Sequence, residues 1–224
     1  MPYPLRHPIL LENKYTQLLV AQILLLLVPT MVQGAIPSIL AFIILVSSVV
    51  AFTLRTFEVR FHHLAWFIVG TFLVGFLEFI LVLFAIDYQQ LSLFINGFHL
   101  IITVMAVVFI LGRIFSANMI TGDSIRGGIC VYFLVGYSFF FVYRILSDYV
   151  PTSFSRPAHL DHLFSLLYCS FTTLTSVGYG DITPTTPLAM AIANLEAIFG
   201  QMYSAIVMAR LVSQYLNSRS AHPH

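Results

Sequence analysis

Charge is scarce in this sequence. Only 8% of its 224 residues are acidic or basic, where a soluble domain carries about 25%. That leaves too little polar side chain to clothe a water-facing surface, and it excludes a soluble globular protein. The charges nearly cancel, to a formal net of +1. No basic stripe exists to neutralise phosphates, so nucleic acid is excluded as a partner. Cysteine is limited to Cys130 and Cys169. Both fall in apolar runs and read as small buried hydrophobes more readily than as a disulfide. Catalytic signatures such as G-x-S-x-G and H-E-x-x-H are missing, as is a phosphate-cradling glycine loop. His62 and His63 are adjacent and cannot share a helix face. His159 and His162 read as loop residues, solvated or sensitive to zinc or protons. No enzyme and no cofactor is expected.

What the chain has in abundance is apolar side chain, at 59%. A spanning helix needs about 20 such residues, and the sequence predicts six, over 16–33, 36–54, 62–86, 91–112, 127–149 and 187–214. The fold class expected is an all-α membrane protein. Arg6 and Lys14 precede the first run, and Val32 to Ala35 would pass as a cleavage site. A second apolar run follows at once, so an uncleaved helical hairpin is expected. With the N-terminus inside, Arg6, Lys14, Arg55, Arg60, Arg113, Arg126, Arg210 and Arg219 are cytoplasmic, leaving only Arg144 and Arg156 of the ten basic residues elsewhere. That bias sets the orientation, with the 150–186 connection outside and both termini cytoplasmic. No soluble domain is expected after the last helix.

The 150–186 connection contains Thr172-Thr173-Leu174-Thr175-Ser176-Val177-Gly178-Tyr179-Gly180-Asp181. Its S-V-G-Y-G-D core closely resembles the selectivity filter of potassium channels, usually read T-V-G-Y-G. In such filters rings of backbone carbonyls from four chains replace the ion's hydration shell. Successive carbonyls reach one pore only if the backbone alternates between ordinary and left-handed dihedrals. Glycine enters the latter without steric cost, which accounts for Gly178 and Gly180. One filter string per chain implies a homotetramer, with a re-entrant pore helix and filter loop between the fifth and sixth spans.

The resemblance implies K+ contacts at Ser176, Val177, Gly178 and Tyr179, with Gly180 completing the filter and the Ser176 hydroxyl as innermost ligand. Serine lacks the methyl that fixes a threonine rotamer, so a looser inner site is expected. Filter support is expected from Tyr168, Thr172, Thr175, Asp181 and Glu196. Many relatives place tryptophan and glutamate where this chain has Tyr168 and Thr172, which alters the brace on Asp181. Asp161 reads as the N-cap of the pore helix or as a solvated loop acid. Thr186-Pro187 reads as N-cap and first turn of the last helix. Gly200 falls where related channels place a hinge, and it also suits close packing. The resemblance puts Gln201, Ser204, Met208 and Val212 along the cavity and inner gate.

Glu196 sits in the middle of an apolar helix, where an ionisable group is expensive. At about 100° per residue it points sideways from the Gln201, Ser204 and Met208 stripe. It reads as a brace behind the filter, or as a cation-concentrating or pH-sensitive group. The fourth segment carries only Arg113, whereas voltage sensing needs about 3–4 gating charges. The expected organisation is a cytoplasmic N-terminus (1–15), a sensor-like domain without an arginine ladder (16–115), a linker (116–126), a pore domain (127–214) and a short cytoplasmic tail (215–224). The implied function is passive potassium conduction across the plasma membrane, the cell inner membrane if bacterial. Its partners are the lipid bilayer, three further copies and an unidentified regulatory subunit as one source of gating. A weakly selective cation channel and a potassium transporter subunit are the alternatives.

Overall fold

The computed structural model describes residues 14–31, 89–116, 122–155, 157 and 162–210, with isolated positions at 46, 49, 69–71, 73–77, 80, 81, 84, 212, 213 and 216. The expected second and third spans are described only at the isolated positions from 46 to 84, and the side chains of Arg55, Arg60, His62, His63, Arg156, His159, Asp161 and His162 lie outside the described residues. Five helices are described: α1 (Lys14–Met31), α2 (Gln89–Ser116), α3 (Gly122–Tyr149), α4 (His162–Leu174) and α5 (Pro187–Met202). A two-residue strand β1 (Phe154–Ser155) precedes α4, and β2 (Thr183–Pro184) follows it. Leu91–Ser116, Gly122–Tyr149 and Pro187–Met208 are long and apolar enough to cross a membrane.

One expected boundary is corrected. Residues 122–126, assigned from sequence to a linker, form the first turn and a half of α3. Asp123 lies in that turn, where the helix dipole favours an acid, and Arg126 pairs with it at 3.6 Å.

The core forms around α3, which packs against α1, α2, α4 and α5. Its Leu134, Tyr137, Phe140, Phe141 and Tyr143 are all buried. Against α1, Tyr137 donates to the Gln22 carbonyl at 2.6 Å and Gln22 Nε2 donates to the Cys130 carbonyl at 3.1 Å. Both cysteines are buried and free. Against α2, the contact is a polar seam on one helix face. Ser92, Asn96, His99 and Thr103, at helical spacing, are buried together. Ser92 donates to Asp148, Ser138 bonds Thr103 at 3.1 Å, and His99 stacks on Phe141 with ring centres 5.2 Å apart. Such polar contacts join helices in a medium that gives apolar surfaces no preference for one another.

The connection from α3 to α5 is pinned at both ends. β1 pairs antiparallel with β2, Phe154 opposite Pro184 and Ser155 opposite Thr183. Thr185 N donates to the Ser153 carbonyl at 2.9 Å. The chain therefore leaves this point, runs through α4 and residues 175–182, and returns to it. α5 then starts as its sequence signal indicated: Thr186 is extended, its hydroxyl accepts from Ala189 N, and Pro187 takes the first helical position.

Two glycines let α3 and α5 close on α4. A Cβ at Gly136 would stand 2.8 Å from the Phe171 ring, and one at Gly200 only 2.0 Å from the Leu174 carbonyl oxygen. Backbone yields less readily than a ring. Gly200→Ala should therefore lower the unfolding temperature of the detergent-solubilised protein more than Gly136→Ala, with costs spanning about 1–3 kcal/mol. Equal shifts would show that α4 moves freely against α5.

Candidate functional site

The site grows out of the way α4 ends. A helix leaves its last carbonyls without intrahelical donors. Here Val177 N donates to the Thr172 carbonyl at 2.9 Å and Ser176 N to the Thr173 carbonyl at 2.9 Å. This is the Schellman pattern, whose first residue beyond the cap adopts a left-handed conformation and is usually glycine. Serine holds that place, and Ser176 has φ of 58°. The next N–H, from Gly178, also turns back to Thr172, at 3.2 Å. The Leu174 carbonyl receives the Tyr132 hydroxyl of α3 at 3.0 Å.

Left-handed residues then recur at every second position. Gly178 has φ of 52° and Gly180 of 81°, while Val177 and Tyr179 keep negative φ. The glycine argument from sequence thus reached two of the three. Alternation of this kind turns successive carbonyls toward one side. Among the described residues, none donates a hydrogen bond to a carbonyl from Ser176 to Gly180. Val177 and Tyr179 are exposed on the single chain, at 52% and 72%.

Side chains brace this strip from behind. Tyr168 of α4 stacks on Tyr179 with ring centres 6.2 Å apart and planes within 7°, and its phenol interacts with the Asp181 carboxylate. Asp181 Oδ1 also accepts from Ile182 N at 3.0 Å. Thr172 takes no part in that brace, because its hydroxyl donates to the Cys169 carbonyl of its own helix at 3.1 Å. Thr175 likewise donates back to the Phe171 carbonyl at 2.7 Å.

α5 contributes on two faces. Gln201 Nε2 donates to Ser176 Oγ at 2.9 Å, a contact the sequence reading did not anticipate. Glu196 is fully buried and faces away, accepting from Tyr143 of α3 and bonded to Ser170 Oγ of α4 at 2.6 Å. Neither Tyr143 nor Ser170 was singled out from sequence. Both are polar groups in apolar helices, which is the signal that drew attention to Glu196. Gly200 lies in regular helix against Leu174, and the helical irregularity comes later, as a π-helical turn from Tyr203 to Met208. Tyr203 fastens that turn by donating to the Gly128 carbonyl at 2.7 Å. The turn breaks the stripe drawn on an ideal helix: Gln201, Ser204 and Val212 are exposed, but Met208 packs against the core.

Residues 103–217, half of the chain, match a family model described as "Ion channel". No curated protein and no solved structure matches the chain. The matched region starts midway along α2 and takes in α3, α4, the left-handed strip and α5. Set in a multi-pass apolar helical framework, it establishes that the chain belongs to this ion channel family.

Proposed function

We propose that the chain is the subunit of a homotetrameric potassium-selective channel of the plasma membrane, with both termini cytoplasmic. Ser176, Val177, Gly178, Tyr179 and Gly180 form its filter, and α4 is its re-entrant pore helix. The observation that carries this reading is the alternation of left-handed residues at 176, 178 and 180, along a strip whose carbonyls accept no hydrogen bond from the described residues. Carbonyls in that arrangement suit an ion that must shed water. Assembly is supported by the outward surface of α5, where Leu188, Leu195, Ile198 and Met202 are largely exposed on one chain. An apolar groove of about 460 Å³ beside α4, lined by Phe164, Leu167 and Phe171 among others, offers a second surface for a neighbouring copy. The one basic residue of α2's last turn, Arg113, supplies far less than a voltage sensor's charge. Conductance nearly independent of voltage is therefore expected.

Reversal potentials of the purified protein in liposomes, with potassium on one side and sodium on the other, test the reading. They should follow the potassium gradient. A reversal near zero favours a weakly selective cation channel instead. That alternative draws on Thr172, whose hydroxyl is engaged within its own helix and leaves Asp181 to Tyr168.

Gln201 supplies a sharper test. Its amide positions Ser176 Oγ, substituting for the constraint a threonine methyl would give. Gln201→Leu should lower the potassium-over-sodium permeability ratio roughly fivefold, the equivalent of one hydrogen bond of about 1 kcal/mol. In a Ser176→Thr background, where β-branching fixes the rotamer, the same change should have little effect. An equal loss in both backgrounds would show that Gln201 acts elsewhere.

A further inference from the structure

Glu196 joins three helices through a set of hydrogen bonds whose hydrogens can be counted. Tyr143 donates to Glu196 Oε2. Ser170 Oγ lies 2.6 Å from Glu196 Oε1 and 2.8 Å from the Gly136 carbonyl oxygen. That makes three bonds, but two hydroxyls bring only two hydrogens, and a carbonyl can only accept. The third hydrogen has one available source, the carboxyl. We propose that Glu196 is a neutral carboxylic acid, and that its proton positions α4 between α3 and α5. Oε1 donates to Ser170, Ser170 passes its own hydrogen to Gly136, and Tyr143 donates to the remaining carbonyl oxygen. Every polar atom of the clasp is then satisfied in a consistent direction.

The ionised arrangement fails on the same count. Ser170 would spend its hydrogen on the carboxylate, leaving its oxygen against the Gly136 carbonyl with lone pairs facing. A full charge would also be buried at 0% exposure, which is costly without a partner. The titratable groups that face Glu196 are Tyr143 and Tyr132 from α3 and Cys169 from α4. Among the described residues no lysine, arginine or histidine interacts with it. Ser170 lies two residues before Thr172 on α4, whose carbonyl turns Val177 and Gly178 back. The proton therefore acts on the helix from which the left-handed strip begins. The inference stands on packing within one chain, and not on which ion passes.

Infrared spectroscopy of the purified full-length protein reads the proton directly. The wild type should show a protonated-carboxyl C=O band at neutral pH that is absent from Glu196→Gln. Tyr143→Phe should shift that band to higher frequency, since the carbonyl oxygen loses its donor. Glu196→Gln keeps a donor toward Ser170, because an amide N–H replaces the O–H, but it adds a second N–H at a buried site, so its heat stability at neutral pH should fall modestly below wild type. The folded wild type binds a proton that the unfolded chain gives up, so its heat stability should fall as pH rises. Glu196→Gln should lose that component of the fall, while tyrosine and cysteine titration remains common to both proteins. A wild-type-minus-Gln spectrum with carboxylate bands alone overturns the proposal, as does an alkaline loss of stability equal in the two. If Glu196→Gln fails to assemble, the Tyr143→Phe spectrum decides: a shifted band supports the clasp and an unshifted one overturns it.

Discussion

The carbonyls at the end of α4 set the terms for everything around them. In an apolar surrounding, water cannot supply donors to a helix end, so the protein must. Phe171 takes Thr175, Thr173 takes Ser176, Thr172 takes both Val177 and Gly178, and Leu174 takes Tyr132 from a neighbouring helix. Turning three consecutive N–H groups back toward the helix is also what sends the following carbonyls away from it. The direction of the 176–180 strip thus follows from how a helix is terminated. Ser176 bears the cost of that termination, since a non-glycine residue in the left-handed region gives up about 1–2 kcal/mol.

How much of this could be read from the chain depends on whether the cause was local. Low charge and long apolar runs report on the solvent, and three of the six expected spans are described as helices long and apolar enough to cross a membrane. Thr186-Pro187 is a local cap and read cleanly too. The left-handed Gly178 and Gly180 were legible because glycine marks such positions. Ser176 was not, because its conformation is imposed by the hydrogen bonds of its own N–H and that of Val177 to Thr173 and Thr172. Gln201 on Ser176 was hidden for another reason: the contact exists only because Gly200 lets two backbones come together. The sideways direction of Glu196 followed from helix periodicity alone, but its partners depended on the packing of α3, which periodicity does not give. The π-helical turn had no proline or glycine inside it to announce it.

The matched family region begins at Thr103, so α1 and the first half of α2 lie outside it. These helices are nonetheless bound into the same core. Gln22 and Tyr15 of α1 bond the α3 residues Tyr137 and Cys130, and Ser92 and Asn96 of α2 reach Asp148 at the far end of α3. The added helices pack on α3, and Leu26 of α1 also lines the groove beside α4, while Leu188, Leu195, Ile198 and Met202 of α5 are exposed on the single chain. Polar contacts tie α3 to its own chain's helices, and apolar surface is left on α5 and on the outer face of α2, at Phe94, Ile101 and Val108.

The π-helical turn gives α5 a built-in gear. A π turn holds one residue more than the α turn it replaces. Were it to convert to α-helical bonding, every residue beyond Met208 would swing about 100° around the axis. Tyr203, anchored to the Gly128 carbonyl, lies at the upstream edge of that conversion and could stay fixed. Arg210, now over the Phe115 ring at 4.9 Å, would be carried off it, and Val212 would face a new neighbour. Such a conversion would turn the end of the helix while its upper half, with Glu196 and Gln201, kept its contacts with α4.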